Sequence, residues 1–141
     1  MKTEDAQQIL AAARAEAEKL SAAVAIVVVD STCAPVVLER LDGAAPMLAG
    51  IAESKAATSA FTGMDSAALE QIDHPAWPTV VIGISARLGG RFAGIQGAVV
   101  LRRGDTIAGA VGVSGATSEQ DEQIAKAGAA AVGGGEKLTA L

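Results

Sequence analysis

The residues that could do chemistry in this sequence gather in one stretch, GAVGVSGATSEQDEQIAKAG (Gly109 to Gly128), with Arg40, Lys55, His74 and Cys33 outside it. Gly112, Ser114 and Gly115 would let the backbone come close to a ligand, and N–H groups at the start of a helix suit a carboxylate. Glu119, Asp121 and Glu122 follow at once and would repel phosphate, so a single carboxylate countered by Arg40 or Lys55 fits better. A second reading needs no ligand. Thr117 and Gln120, three apart, make a capping-box pattern, and acids in a first turn meet the positive end of the helix dipole.

Arg40 and Lys55 could hold a substrate carboxylate by charge-assisted hydrogen bonds. They could equally form ion pairs, Arg40 with Glu39 or Asp42 and Lys55 with an acid of the last helix. Asp121 could act as a general base if burial raised its pKa. In an enzyme of lyase, isomerase or hydratase type acting on a small acid or carbonyl compound, Arg40 and Lys55 would orient and Asp121 would move a proton. His74 is the only histidine, so a metal or haem site using imidazole from this chain must use it. Its setting, DHPAWP, is equally that of an exposed loop side chain. Met47, Met64 and Cys33 are second-ligand candidates without diagnostic spacing. Cys33 is a nucleophile only where an electropositive setting lowers its pKa. The sequence has no P-loop, dinucleotide fingerprint or zinc-protease helix.

The elements that must position these groups can be read from periodicity. Thr3 can cap a helix running to about Leu20, with Ile9, Leu10, Ala13, Ala17 and Leu20 as its apolar stripe. AVAIVVVD and PVVLERL read as a hairpin, and AVVLRR with TIAGAVGV as another, turning on Gly104-Asp105. Pro46 suits the first turn of a helix reaching Phe61, with Ile51, Lys55 and Thr58 on one face. Asp65 can cap a short helix, SAALEQI. TVVIGIS reads as a strand by propensity, with Gly89, Gly90, Gly94 and Gly97 making the following stretch irregular. A last helix is expected from Ser118 to Val132, stopped by the glycines that follow. Hairpins imply an antiparallel sheet, so the class is α+β with packed helices, one domain over residues 1–141.

Composition sets further bounds. A net charge of −5 over 141 residues argues against binding nucleic acid or an anionic membrane. One cysteine excludes an intramolecular disulfide. The N-terminus is polar and acidic, and no apolar run approaches the ~18 residues of a membrane span, so a cytoplasmic chain is expected. The core must be built from alanine and valine, because there are only two Phe and one Trp. That poverty counts against a deep haem pocket. Small-residue surfaces also suit self-association or assembly with a partner protein.

In order, VVD with LERLDGA, IAESKAATSAF, and IAGAVGVSGATSEQDEQIAKAG resemble the GlcG/HbpS-like family, also found as the C-terminal domain of PduO-type proteins. The resemblance runs from about Val24 to Ala131. It implies a profilin-like α+β fold, homo-oligomers built from dimers and, in some members, binding of haem. Asp30, Arg40, Asp42, Gly43, Lys55, Thr58, Gly97, Gly109, Gly112, Ser114, Gly115, Gln120, Asp121 and Glu122 match its pattern. Two places depart. DSTC puts Cys33 where relatives turn on glycine, and QGAVV stands where they carry G-G-x-P. The expectation is a binding protein for haem or another small carboxylate-bearing ligand, in a pocket between the second long helix and the GVSG junction. Its contacts would be Arg40, Lys55, Thr58, Gly112, Val113, Ser114, Gly115 and Asp121.

Overall fold

Strands buried on both faces read as near-continuous apolar runs, and AIVVVD is one. In the computed structural model, which describes residues 1–132 and the backbone of 138–140, it forms β1 (Ala25–Asp30). β1 lies antiparallel between β2 (Pro35–Arg40) and β4 (Thr106–Ser114). β3 (Ala98–Arg103) and β5 (Leu138–Ala140) complete a five-stranded sheet of order β2-β1-β4-β3-β5. Both expected hairpins are present, and β5 is an addition to them.

The two-residue alternation of strands sorts the core into two layers. Ile26, Val28, Val99, Leu101, Val111 and Val113 face α1 (Thr3–Lys19) and α5 (Ser118–Ala129). Ala25, Val27, Val29 and Ala110 face α2 (Met47–Thr62) and α4 (Trp77–Arg87). The class is α+β, with helices on both faces of an antiparallel sheet. α2 lies close to the sheet because it presents Ala52, Ala56, Ala57 and Ala60. It also meets a glycine: a Cβ at Gly112 would collide with the Ala52 carbonyl oxygen and stand 2.9 Å from Ala56.

Residues 77–87 are helical, which corrects the strand reading of TVVIGIS. Pro78 stands in the first turn, where its fixed φ suits a helix. Ile84 and Leu88 are buried, and with partly buried Trp77 and Val81 they follow a helical period, which outweighs β-branched propensity. Thr3 does not cap α1; Lys2 holds that position with no side-chain bond. Asp65 precedes α3 (Ser66–Glu70) but does not cap it either. Its carboxylate accepts from Val100 N at 2.8 Å, while Ser66 Oγ accepts from Ala98 N at 2.8 Å. Together they close the edge of β3 that β5 leaves uncovered, a protection exposed edges need. Burial raises the Asp65 pKa above its usual value, and the nearby Glu122 charge adds to this, against the hydrogen bond from Val100.

The β1–β2 turn accounts for Cys33. Cys33 N donates to Asp30 O at 3.0 Å and Asp30 N to Ala34 O at 2.9 Å. Cys33 takes φ +66°, the left-handed conformation a glycine would adopt freely. The turn thus sets a thiol-bearing residue in a conformation that favours glycine. Among the described residues, no helix is long and apolar enough to cross a membrane.

Candidate functional site

The GVSG junction is built around a buried ion pair. Lys55, on α2, donates from Nζ to Val113 O at 2.9 Å and to Asp121 Oδ2 at 3.2 Å. Asp121 Oδ1 accepts from Ala116 N at 2.9 Å, and each of the two residues is 3% exposed. A Cβ at Gly97 would stand 2.8 Å from Lys55 Nζ, so the missing side chain leaves just enough room for the ammonium. The pair joins α2, the end of β4 and the start of α5. Its oxygens and ammonium face protein partners rather than open space.

The capping reading of the same stretch matches the geometry. Thr117 Oγ1 accepts from Gln120 N, and Gln120 Oε1 accepts from Thr117 N. Gly112 lies beneath α2, while Gly115 turns at φ +133° where a Cβ would stand 2.7 Å from Ala23 O. Val113 N donates to Gly97 O at 2.9 Å. These glycines admit protein backbone and helix, which is a sufficient reason for each.

Arg40 stands elsewhere. In the sheet register it is opposite Ala25, itself opposite Ser114, so Arg40 and Ser114 share a face two strand spacings apart, about 10 Å. Its Nη1 donates to Ala44 O at 2.8 Å. Glu39 is taken by Arg14, with 2.7 and 2.8 Å contacts to its two oxygens. With Arg14, Glu18, Glu39 and Asp42, Arg40 lines an open polar cleft of about 480 Å³.

A different, mostly apolar cavity of about 540 Å³, more open to solvent than that cleft, lies where Ile51 of α2, Leu69 and Glu70 of α3, Ile72 and Trp77 meet Phe92 and Ile95. Its size and lining fall within the ~300–1,000 Å³, mostly apolar range of small-molecule sites. Trp77 and Phe92 meet edge to face, 6.3 Å between ring centroids. Two of the three aromatic residues are thus spent on one wall. His74 is exposed in the loop entering Trp77, and its Nδ1 accepts from Ala76 N at 3.0 Å. A neutral ring so held carries its proton on Nε2, so binding a metal through Nε2 requires the ring to leave Ala76. Among the described residues, no group of three or more His, Cys, Asp and Glu is placed to hold a metal ion.

Thr58 is buried, and its hydroxyl donates to Ser54 O at 2.7 Å and accepts from Ala93 N at 3.0 Å. Cys33 is buried, which pushes its thiol pKa up, while the Arg91 charge opposes this and Asp30 adds to it. That is the opposite of nucleophile activation. Sequence reasoning missed the apolar cavity and Arg91. The available signal was that Trp77 and Phe92, in an aromatic-poor chain, flank a helix rather than a strand.

The fold and several solved proteins agree. The PduOC–haem complex is 26% identical with a TM-score of 0.82, over 96% of this chain and 97% of that one. A double mutant of Streptomyces reticuli HbpS is 27% identical with a TM-score of 0.80, over 95% and 88% of the chains. Klebsiella pneumoniae ORFY shares the fold at 24% identity and TM-score 0.78, over 93% and 89%. No curated protein sequence matches. With residues 1–130 matched by the model of the HbpS-like family, described as haem degrading protein HbpS-like, the chain belongs to that family.

Proposed function

We propose that this protein binds a small molecule, and that the ligand is haem held against the apolar cavity between α2, α3 and the 91–97 segment. The observation that carries the reading is the cavity itself: about 540 Å³, walled by Trp77 and Phe92 and close in sequence to the only histidine. Relatives whose structures include a haem complex support it. Ile51, Ile72, Trp77 and Phe92 would hold the face of the macrocycle, and His74, which stands outside the cavity lining three residues before Trp77, would offer imidazole to the iron after releasing Ala76 and turning toward the cavity. When bound, haem supplies iron redox and gas-ligand chemistry. A homo-oligomer and a cytoplasmic setting belong to the same proposal. In support of self-association, α4 leaves Ile82 71% and Val80 46% exposed, apolar surface that a second subunit would cover.

The alternative, a cofactor-independent enzyme using Arg40, Lys55 and Asp121, requires Lys55 to leave both Val113 O and Asp121. It also requires Arg40 to reach across the sheet from its own cleft. The geometry favours binding over this reaction.

Haemin titration of the apo-protein, followed at the Soret band, tests the proposal with Phe92→Ala and His74→Ala beside the wild type. Saturation weakened by Phe92→Ala is the expected result, with a changed Soret position in His74→Ala. Non-saturating absorbance indifferent to both substitutions would remove haem from this cavity. Turnover of small hydroxy or keto acids, lost in Asp121→Asn with the fold intact, would establish the enzyme instead.

A further inference from the structure

The cavity owes four of its nine lining residues, Phe92, Ala93, Gly94 and Ile95, to a segment without helix or strand. Something outside the segment must fix it. Two side chains do so at its first half. Arg91 donates from Nε to Leu88 O at 3.0 Å and from Nη1 to Cys33 O at 2.6 Å, with Glu53 Oε1 at 3.2 Å. Thr58 Oγ1 accepts from Ala93 N at 3.0 Å, and its own proton goes to Ser54 O of α2 at 2.7 Å, so the hydroxyl ties the segment to that helix. At the far end Gln96 N donates to Glu70 Oε2 at 3.0 Å and Gln96 Nε2 to Glu122 Oε2 at 2.7 Å.

Phe92 lies between the two near attachments. Its ring is trapped between Trp77, 6.3 Å away by centroid, and Gly94, where a Cβ would stand 3.1 Å from Phe92 Cζ. A short segment pinned on either side of one aromatic residue presents that residue in one orientation. Loss of either pin frees the wall without touching the ligand.

We infer that Thr58 and Arg91 are positioning residues of the apolar cavity, acting through Ala93 N and the Cys33 carbonyl to set Phe92 against Trp77. This deepens the haem-binding proposal and rests on it for the identity of the ligand. Arg91 also connects the cavity wall to the β1–β2 turn. Cys33, the left-handed residue of that turn, accepts from the guanidinium through its carbonyl, so the hairpin and the 91–97 segment are joined by a hydrogen bond.

The test compares Thr58→Val, which keeps the shape and loses the hydroxyl, with Thr58→Ser, which keeps the hydroxyl. Arg91→Lys, which keeps the charge without the guanidinium fork, is the second site. Haemin affinity is measured together with acrylamide quenching of Trp77, the only tryptophan. One buried hydrogen bond corresponds to roughly a three- to tenfold change in an equilibrium. Thr58→Val and Arg91→Lys are expected to weaken haemin by about that factor and to raise Trp77 quenching, with Thr58→Ser close to wild type in both. Thr58→Val that matches wild type in haemin affinity and quenching overturns the inference, as does Thr58→Ser that behaves like Thr58→Val. If the wild type itself does not take haemin, the haem proposal fails. Trp77 quenching in the variants then still decides whether Thr58 and Arg91 set the wall.

Discussion

Lys55 reaches from α2 to Asp121 on α5, 3.2 Å from Nζ to Oδ2, across the carbonyl of Val113 and out of contact with water. Two charges buried this way stabilise a fold mainly by the penalty of separating them. Desolvation offsets much of their attraction, but a single survivor is left without a partner.

Asp121→Asn is therefore expected to destabilise the fold by about 3–5 kcal/mol, read as a lower urea midpoint. The amide can still accept from Ala116 N, so the loss isolates the charge on Lys55. The double variant Lys55→Met with Asp121→Leu should lose less than the sum of the two single losses. Additive losses would mean that the pair is not coupled.

Gly112 and Gly50 face opposite consequences from the same substitution. Gly112→Ala drives a methyl group into the Ala52 carbonyl and Ala56, and overpacking of this kind costs about 1–3 kcal/mol. Gly50, in α2, has nothing beyond its chain neighbours and its own helix backbone within 4 Å of the added carbon. Gly50→Ala should gain about 0.8 kcal/mol from helix propensity. Equal urea midpoints for the two variants would contradict the close approach of α2 to β4.

Two aspartates pull the pH profile of stability in opposite directions. The raised Asp65 pKa means the folded state binds its proton more tightly than the unfolded state. That contribution is therefore largest at acid pH, below the unfolded value, and is lost as pH rises through the raised folded value. Asp30 is lowered, chiefly by the Thr32 hydroxyl, so its stabilisation is present above the ordinary aspartate value and is lost as pH falls through the lowered folded one. Asp65→Asn keeps an acceptor for Val100 N and removes the buried charge. Urea midpoints across the acid-to-neutral range should show Asp65→Asn more stable than wild type at neutral pH, with the difference closing on acidification. Asp30→Asn should lose stability at neutral pH and converge with wild type in acid.

The sheet core and the last helix were legible because their causes are local. AIVVVD is apolar at every position but the last, and its strand length and β-branched residues read as a buried strand, while Thr117 with Gln120 writes its capping box within four residues. The pairing of Lys55 with an acid of the last helix was one of two readings, and residue type alone could not choose between them. The tertiary fold chose, because only packing brings α2 within hydrogen-bond reach of the Val113 carbonyl and Asp121.

The helix over 77–87, the edge closure by Asp65 and Ser66 and the apolar cavity depended on distant partners. β-branched residues in TVVIGIS favour a strand until Ile84 and Leu88 have a core to bury into. Asp65 looks like a helix cap until an unpaired β3 amide, 35 residues on, competes for its oxygen. By itself the sequence determined which segments must be buried and where the chain must turn, since side-chain period and glycine placement act over a few residues. Which polar groups meet, and where a cavity remains, only the tertiary structure decided, because hydrogen bonds and voids arise between segments that are far apart in the chain.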